Sequence, residues 1–488
     1  MDIGSTVGDR PTGAMRLTVP VPSDPAADPY TPHSGDRRWS AEHYELRLDY
    51  RVATNRLDGT ATITARALEP LDRVVIDLHG LTVDRVDVDG RRAKKVSTAT
   101  HKVTVTPADP IAADTVFSVH LRYRGTPHPV RSAWGQLGWE ELSDGVIVAA
   151  QPTGAPSWFP CNDRPDDKAT YRIEIAAEAA YDVLANGELL AKERDRVGTR
   201  WTYATTEPMA TYLATVQIGR YRTTKLRTSG VPVTLHHPAD LAAAAKTDFG
   251  QVPEMLALFG DRFGPYPFAA YGVVVTDDDL EIPLEAHGLA VFGRNHVDGE
   301  HGTDRLIAHE LAHQWFGNSV TVTRWQDIWL HEGFACYAEW LWSEDRGDDT
   351  ADQLAERYRQ ALLEQPEDLV VGDPGAKDMF DDRVYKRGAL ALHAVRRTIG
   401  DDAFFTGLRS ITERHRHGSV TVPDVLRAFA DATGRSVADV RAVTGPWIDE
   451  ASVPTLPVGQ QAPPPRRPAR DAAASTPSRP ARRRPGYS

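Results

Sequence analysis

Between Thr303 and Trp342 the chain carries the residues for holding a metal ion and activating a water. His309-Glu310-x-x-His313 is followed, after eighteen intervening residues, by Glu332. On a helix, positions four apart lie one turn apart on one face. His309 and His313 can therefore aim their imidazoles at a common centre, with Glu310 beside them. Two imidazoles and one carboxylate suit Zn²⁺ and leave a fourth position for water. Glu310 can then take that water's proton. A bare His-Glu-x-x-His arises by chance in roughly a few per cent of chains this long. Here it sits among Leu306, Ile307, Leu311, Trp315 and Phe316, where unpaired polar groups would be costly. With Glu332 on the next amphipathic stretch, the pattern predicts one zinc ion per chain.

Several elements must position these groups. The motif helix is predicted to end at Gly317-Asn318, with the glycine just past its last turn. A second helix is predicted from Gln326 to Trp342. It puts Cys336 and Glu339 on the face of Glu332. Glu339 is spaced to accept an N–H from a metal-binding histidine, while Cys336 reads as a small buried residue. Five of the eleven tryptophans fall between Trp315 and Trp342, which predicts a dense local core. His287, His296, His301 and His331 read as rim or packing residues. Upstream, helical spacing runs from Asp248 to Phe259. The turn Phe263–Phe268 and a strand over Tyr271–Val275 follow, then the acidic stretch Asp277–Glu281, whose aspartates read as a solvated loop. Downstream, helices are predicted over Ala351–Leu363, Val384–Thr398, Asp401–His415, Val422–Thr433 and Ser436–Asp449.

Nearer the N-terminus the period is two. Tyr44, Leu46, Leu48, Tyr50 and Val52 alternate with polar residues, Leu57-Asp58-Gly59 reads as a turn, and similar runs recur to about Tyr221. These patterns predict an antiparallel β N-terminal domain of two packed sheets over 38–221 and a mainly helical domain over 222–457. Residues 1–37 read as a flexible segment and 458–488 as a disordered Pro/Arg-rich tail.

Composition narrows the function class. The 488 residues carry a formal charge of −12, but seven arginines and one aspartate lie from Gly459 onward. The remainder holds 49 basic and 67 acidic residues, a charge of −18 that argues against nucleic-acid binding by the folded body. Two distant cysteines give no disulfide framework. No secretory h-region and no apolar run of membrane-spanning length is present, so a cytoplasmic location is expected. Oligomeric state is not legible.

The stretch HELAHQWFGNSVTVTRWQDIWLHEGFACYAEW resembles the signature of the M1 zinc aminopeptidases, the gluzincin group that includes aminopeptidase N and leukotriene A4 hydrolase. The resemblance implies a thermolysin-like zincin catalytic domain, peptide substrates with a free N-terminus, His309, His313 and Glu332 as zinc ligands, and Glu310 as general base. FDDRVYKRGALALHAVRRTIG is similar to the segment with the family's catalytic tyrosine, which implies that role for Tyr385. QPTGAPSWFPCNDRPDDKATY is similar to the segment whose glutamine lines the S1 pocket, which implies Gln151. The family binds the substrate α-amine with the Glu of Gly-x-Met-Glu-Asn. Here the aligned residues are Ile282-Pro283-Leu284-Glu285-Ala286, which implies Glu285 for that role in a recast loop. Glu281 is a second candidate. Longer members add a large C-terminal helical domain that roofs the site, so a more open cleft is expected of this short form. A zinc endopeptidase or an epoxide hydrolase on the same centre is the alternative. A non-enzymatic scaffold would need a broken ligand set or a missing base, and neither is seen.

Overall fold

The computed structural model describes residues 27–459. Most of the expected flexible segment, up to residue 26, and the expected tail from residue 460 lie outside the described residues.

Alternation in the first half produces strands with one buried face. In the strand Trp39–Arg51, Tyr44, Leu46, Leu48 and Tyr50 are fully buried. It pairs antiparallel with Arg56–Ala67 and parallel with Lys168–Ala177, inside a nine-stranded sheet whose other pairings are antiparallel. A five-stranded sheet (Asp182–Ala185, Val216–Gly219, Gly145–Ala149, Gly135–Leu142, Val130–Ser132) and a three-stranded one (Val74–Asp77, Lys102–Thr106, Lys95–Thr98) complete this half. Tyr44, Trp139, Trp158, Phe159 and Tyr171 fill the core between them.

Leu57-Asp58-Gly59 is not a turn. The chain reverses at Val52–Asn55, where Asn55 takes a left-handed φ of 45°. Gly59 lies inside a strand, and a Cβ there would come within 2.7 Å of the Tyr123 ring. The glycine permits close packing rather than reversal.

The second half begins with a mixed sheet ordered Arg222–Lys225, Val233–His237, Tyr271–Val275, Leu289–Phe292, Leu284–Ala286. Nine α-helices occur among the described residues: α1 (Ala242–Asp248), α2 (Val252–Phe263), α3 (Asp304–Ala312), α4 (Trp329–Arg346), α5 (Ala351–Leu363), α6 (Asp382–Ile399), α7 (Asp401–Arg414), α8 (Val422–Thr433) and α9 (Val437–Ile448). α1 precedes the expected helical start, because its alanine run has high helix propensity but no apolar period to read. α5 starts at Ala351 as expected and α9 at Val437, one residue later than expected, on capping boxes at Thr350 and Ser436.

Buried polar contacts join the two halves. The three donors of the Lys168 ammonium, on a strand of the large sheet, reach the carbonyls of Asn318, Ser319 and Gly418 at 2.8–3.2 Å. The Tyr212 hydroxyl donates to the Gly317 carbonyl at 3.0 Å. Ahead of the first strand, Asp28 accepts from the Trp325 amide, and the Tyr30 hydroxyl donates to Asp373.

Asp163, near this seam, accepts from the Thr211 hydroxyl and is buried. Burial and the nearby Asp77 carboxylate push its pKa up to about 8. A raised folded-state pKa means that the folded protein binds the extra proton between the unfolded value and pH 8. Its stabilising contribution is full below the unfolded pKa and is lost as pH rises through about 8. Asp163→Asn is therefore expected to flatten the decline of stability between pH 4 and 8 by on the order of 1 kcal/mol per pH unit. Denaturant melts of both proteins across that range measure it, and parallel curves would refute the assignment.

Candidate active site

The first turn of the site is built on α3. His309 and Glu310 lie near its end, and His313 continues its right-handed geometry at the cap. The helix stops at Ala312, earlier than expected, because Asn318 donates its amide back to the His313 carbonyl and the chain turns there. α4 supplies Glu332 in its first turn. The Nε2 atoms of His309 and His313 each lie 3.4 Å from Glu332 Oε2. One ligand atom from each of the three residues lies within 4.8 Å of the others, and all three side chains are buried.

The opposite ring nitrogens are occupied. His309 Nδ1 is 2.7 Å from Glu339 Oε1, and His313 Nδ1 donates to the Phe316 carbonyl at 3.0 Å. Arg305 donates to the other oxygen of Glu339 at 3.0 Å. Such partners fix the tautomer and leave Nε2 free for a metal. Electrostatics agree. Burial alone would lower the imidazole pKa values, but Glu332 with Glu339 raises His309 to about 9, and the surrounding carboxylates raise His313 to about 10. Burial would raise Glu332, yet the two imidazoles hold it well below the ordinary carboxylate range. A field that draws positive charge to this point also favours a divalent cation. The donor set, its capped outer nitrogens and its field fit one Zn²⁺.

Glu310 is buried, and its Oε2 has no hydrogen-bond partner among the described residues. Burial pushes its pKa up to about 7, with Glu285 and Glu332 opposing ionisation further and the imidazoles favouring it.

Tyr385 reaches the centre from α6 because α4 and α6 cross at two glycines. A Cβ on Gly333 would meet the Gly388 Cα at 2.8 Å, and one on Gly388 would meet the Gly333 Cα at 2.9 Å. Glu332 immediately precedes one glycine, and Tyr385 is three residues before the other. The Tyr385 ring stacks on His309 with centroids 6.0 Å apart and planes 18° apart. Burial and the Glu332, Glu285 and Glu310 carboxylates raise its pKa well above the usual phenol value, so the O–H is retained.

Glu285 sits on the edge strand Leu284–Ala286. It accepts a hydrogen bond from Gln151 Nε2 at 2.7 Å, and its pKa is raised by burial while His313 and His309 oppose the rise. The structure thus brings all seven sequence-derived residues together: His309, Glu310, His313, Glu332, Tyr385, Glu285 and Gln151. Glu281, the second amine-site candidate, is exposed and stands apart in the loop. Cys336 is a buried thiol whose pKa burial pushes up to about 12, and Lys386 Nζ lies 3.6 Å from its sulfur. His331 accepts from the Val322 amide at 2.9 Å, and burial keeps it neutral.

Sequence reasoning missed Gln314 and Asn318. Gln314 Nε2 donates to the Ala286 carbonyl at 3.1 Å, and its Oε1 accepts from the Gly288 amide at 2.9 Å. Asn318 Nδ2 donates to the same Ala286 carbonyl at 3.0 Å. The motif segment thereby grips the backbone at the end of the strand that carries Glu285. Only the register of the fold reveals this, since the partners are 26–32 residues apart. Gln314→Ala is expected to raise KM by about 10-fold with a smaller change in kcat, since it leaves buried backbone groups unpaired at roughly 1–3 kcal/mol. Steady-state kinetics measure the split, and an equal fall in kcat with KM unchanged would refute this positioning role.

Residues 40–213 match the Peptidase M1 N-terminal domain, and residues 248–447 match the Peptidase family M1 domain. An M1 zinc metallopeptidase from Deinococcus radiodurans, crystallised as a point mutant bound to a Tyr-Ser-Ala substrate, is similar at a TM-score of 0.81 and 30% identity, covering 88% of this chain and 98% of that one. Aminopeptidase 2 of Candida albicans is 23% identical over 442 residues, 85% of this chain and 48% of that protein. Human endoplasmic reticulum aminopeptidase 1 is 25% identical over 422 residues, 80% and 45% respectively. The chain thus spans about half the length of these curated relatives. No helix among the described residues is long and apolar enough to cross a membrane. With both domains matched in order and nearly the whole length of a two-domain relative covered, the chain belongs to peptidase family M1.

Proposed function

We propose that the protein is a zinc-dependent aminopeptidase that hydrolyses the N-terminal peptide bond of peptides. Zn²⁺ held by His309, His313 and Glu332 supplies a Lewis acid that brings a water's pKa toward neutrality and polarises a carbonyl. Glu310 accepts the proton of the attacking water and passes it to the leaving amine. Tyr385 donates its O–H to the oxygen on which negative charge develops. Glu285, steadied by Gln151, receives the α-ammonium of the substrate. Glu339 and Arg305 hold His309 in orientation.

The observation that carries the exopeptidase reading is the Glu285 carboxylate, hydrogen-bonded to Gln151 beside the three-residue metal set. A carboxylate fixed there counts one residue back from the scissile bond. The Tyr-Ser-Ala substrate of the Deinococcus relative supports short peptides as substrates. Two buried, unpaired cysteines support a reducing, cytoplasmic setting.

The test is a panel of aminoacyl-arylamides and tripeptides, each with a free and an N-acetylated terminus. Free substrates are expected to be cleaved, chelation to abolish cleavage and added zinc to restore it. Acetylation, like Glu285→Gln, is expected to lower kcat/KM by about 10–100-fold, the worth of one charge-assisted contact. Equal cleavage of acetylated and free substrates would remove Glu285 from the amine site and leave an endopeptidase.

A further inference from the structure

Away from the active site, the acidic body carries a strongly basic run, Arg91-Arg92-Ala93-Lys94-Lys95. It leads from the strand Arg91–Arg92, at one edge of the nine-stranded sheet, into the strand Lys95–Thr98 of the three-stranded one. All of its charged side chains are exposed. Strand register gathers part of this charge on one face. Lys95 pairs with Thr106, Ser97 with Thr104, and Thr104 with Val75. Cross-strand partners share a face, and Val103 and Val105 are buried on the other. Arg73 is one step before Val74, the partner of Val105, so it extends the row of Thr106 and Lys95. With strands about 4.7–4.9 Å apart, the Arg73 and Lys95 backbones flank Thr106 at roughly 10 Å from each other. A cavity of about 520 Å³ opens there, lined by Arg73, Lys94, Lys95, Ser97, Thr104 and Thr106.

The cavity's carboxylate is Asp72, exposed and 3.6 Å from Arg73 Nε, and neither lysine is ion-paired among the described residues. Three cations around one carboxylate leave a surplus of positive charge that nothing in the fold uses. Guanidinium, ammonium and hydroxyl groups share one complement, an oxyanion with several acceptor oxygens. Charge then decides its size. At physiological salt a field fades within about 8–10 Å. A compact anion in the cavity feels the three cations and is screened from most of the body's carboxylates. A long polyanion or a flat anionic membrane would run past the patch onto the acidic remainder and be repelled. The cavity also falls in the range of about 300–1,000 Å³ usual for small-molecule sites.

We propose that Arg73, Lys94 and Lys95, with the hydroxyls of Ser97, Thr104 and Thr106, bind a compact inorganic oxyanion of the pyrophosphate kind on this face of the β-rich half. None of these residues takes part in the chemistry at His309, His313 and Glu332. The proposal does not depend on the aminopeptidase reading.

Calorimetric titration of pyrophosphate into the full chain carrying Glu332→Ala, which takes the active-site metal out of play, tests it. One site per chain is expected, with a Kd below about 1 mM at about 0.1 M salt. Adding Arg73→Gln/Lys95→Gln is expected to weaken binding by about 10–100-fold, through loss of charge-assisted contacts. Lys192→Gln/Arg194→Gln removes the same charge from the opposite edge of the nine-stranded sheet and should leave binding intact. With Glu332 restored and zinc bound, Arg73→Gln/Lys95→Gln should hydrolyse arylamides at the parent rate, which shows that its fold is preserved. Absence of saturable binding, an affinity unmoved by Arg73→Gln/Lys95→Gln, or an equal loss in Lys192→Gln/Arg194→Gln would overturn the proposal and leave a solvated charge run. Tighter binding of a single-stranded oligonucleotide than of pyrophosphate would also overturn it, in favour of a surface for long polyanions.

Discussion

Glu310→Gln is expected to lower kcat by about 10²–10⁴-fold while zinc content stays at that of the parent. The substitution keeps the shape of the side chain and removes its basicity. Glu310 is not among the three residues whose ligand atoms converge, so the metal should remain. Its buried Oε2 makes no hydrogen bond among the described residues, so one oxygen is free to take up a proton. Burial, with the Glu285 and Glu332 carboxylates, raises its pKa above the ordinary carboxylate value, which favours proton uptake. Steady-state kinetics and metal analysis on the same preparation decide the matter. A variant within tenfold of the parent, or one stripped of zinc, would show that Glu310 is not the proton carrier.

Tyr385→Phe is the second large effect. Losing a preorganised donor to the developing oxyanion costs about 10²–10³-fold in kcat, with KM little changed. The phenol is poised for that role. It lies against His309, keeps its proton, and is carried to the site by the Gly333–Gly388 crossing. The split between constants separates it from Glu285, whose loss should act mainly through recognition of the amine. A rise in KM with kcat intact would make Tyr385 a substrate-binding group instead.

Much of this centre was legible because its logic is local. His309 and His313 are a helical turn apart, and helical spacing placed α5 and α8 to the residue. Glu339 was readable for the same reason, seven residues from Glu332 on one helix. What sequence could not reveal depends on approach between distant segments. Gln314 has meaning only once Ala286 and Gly288 lie beside it. Gly59 looked like punctuation because an aspartate-glycine pair is a strong turn signal, whereas the Tyr123 ring that demands it lies far along the chain. The assignment of Tyr385 and Gln151 came from family resemblance, since an aromatic near a helix start and a loop glutamine have no spacing that signals catalysis.

The Lys168 anchor bears on how the molecule comes apart. Its ammonium is saturated by three carbonyls, two of which lie just after His313 in the chain. Burial lowers the Lys168 pKa to about 7, so the three carbonyls are what keep its charge at the seam, and if either half unfolded alone the other would lose the partners its seam groups meet. Cooperativity follows: heat should melt both halves in one calorimetric transition. For an engineer, the β-rich half is therefore part of the catalytic body rather than a detachable accessory.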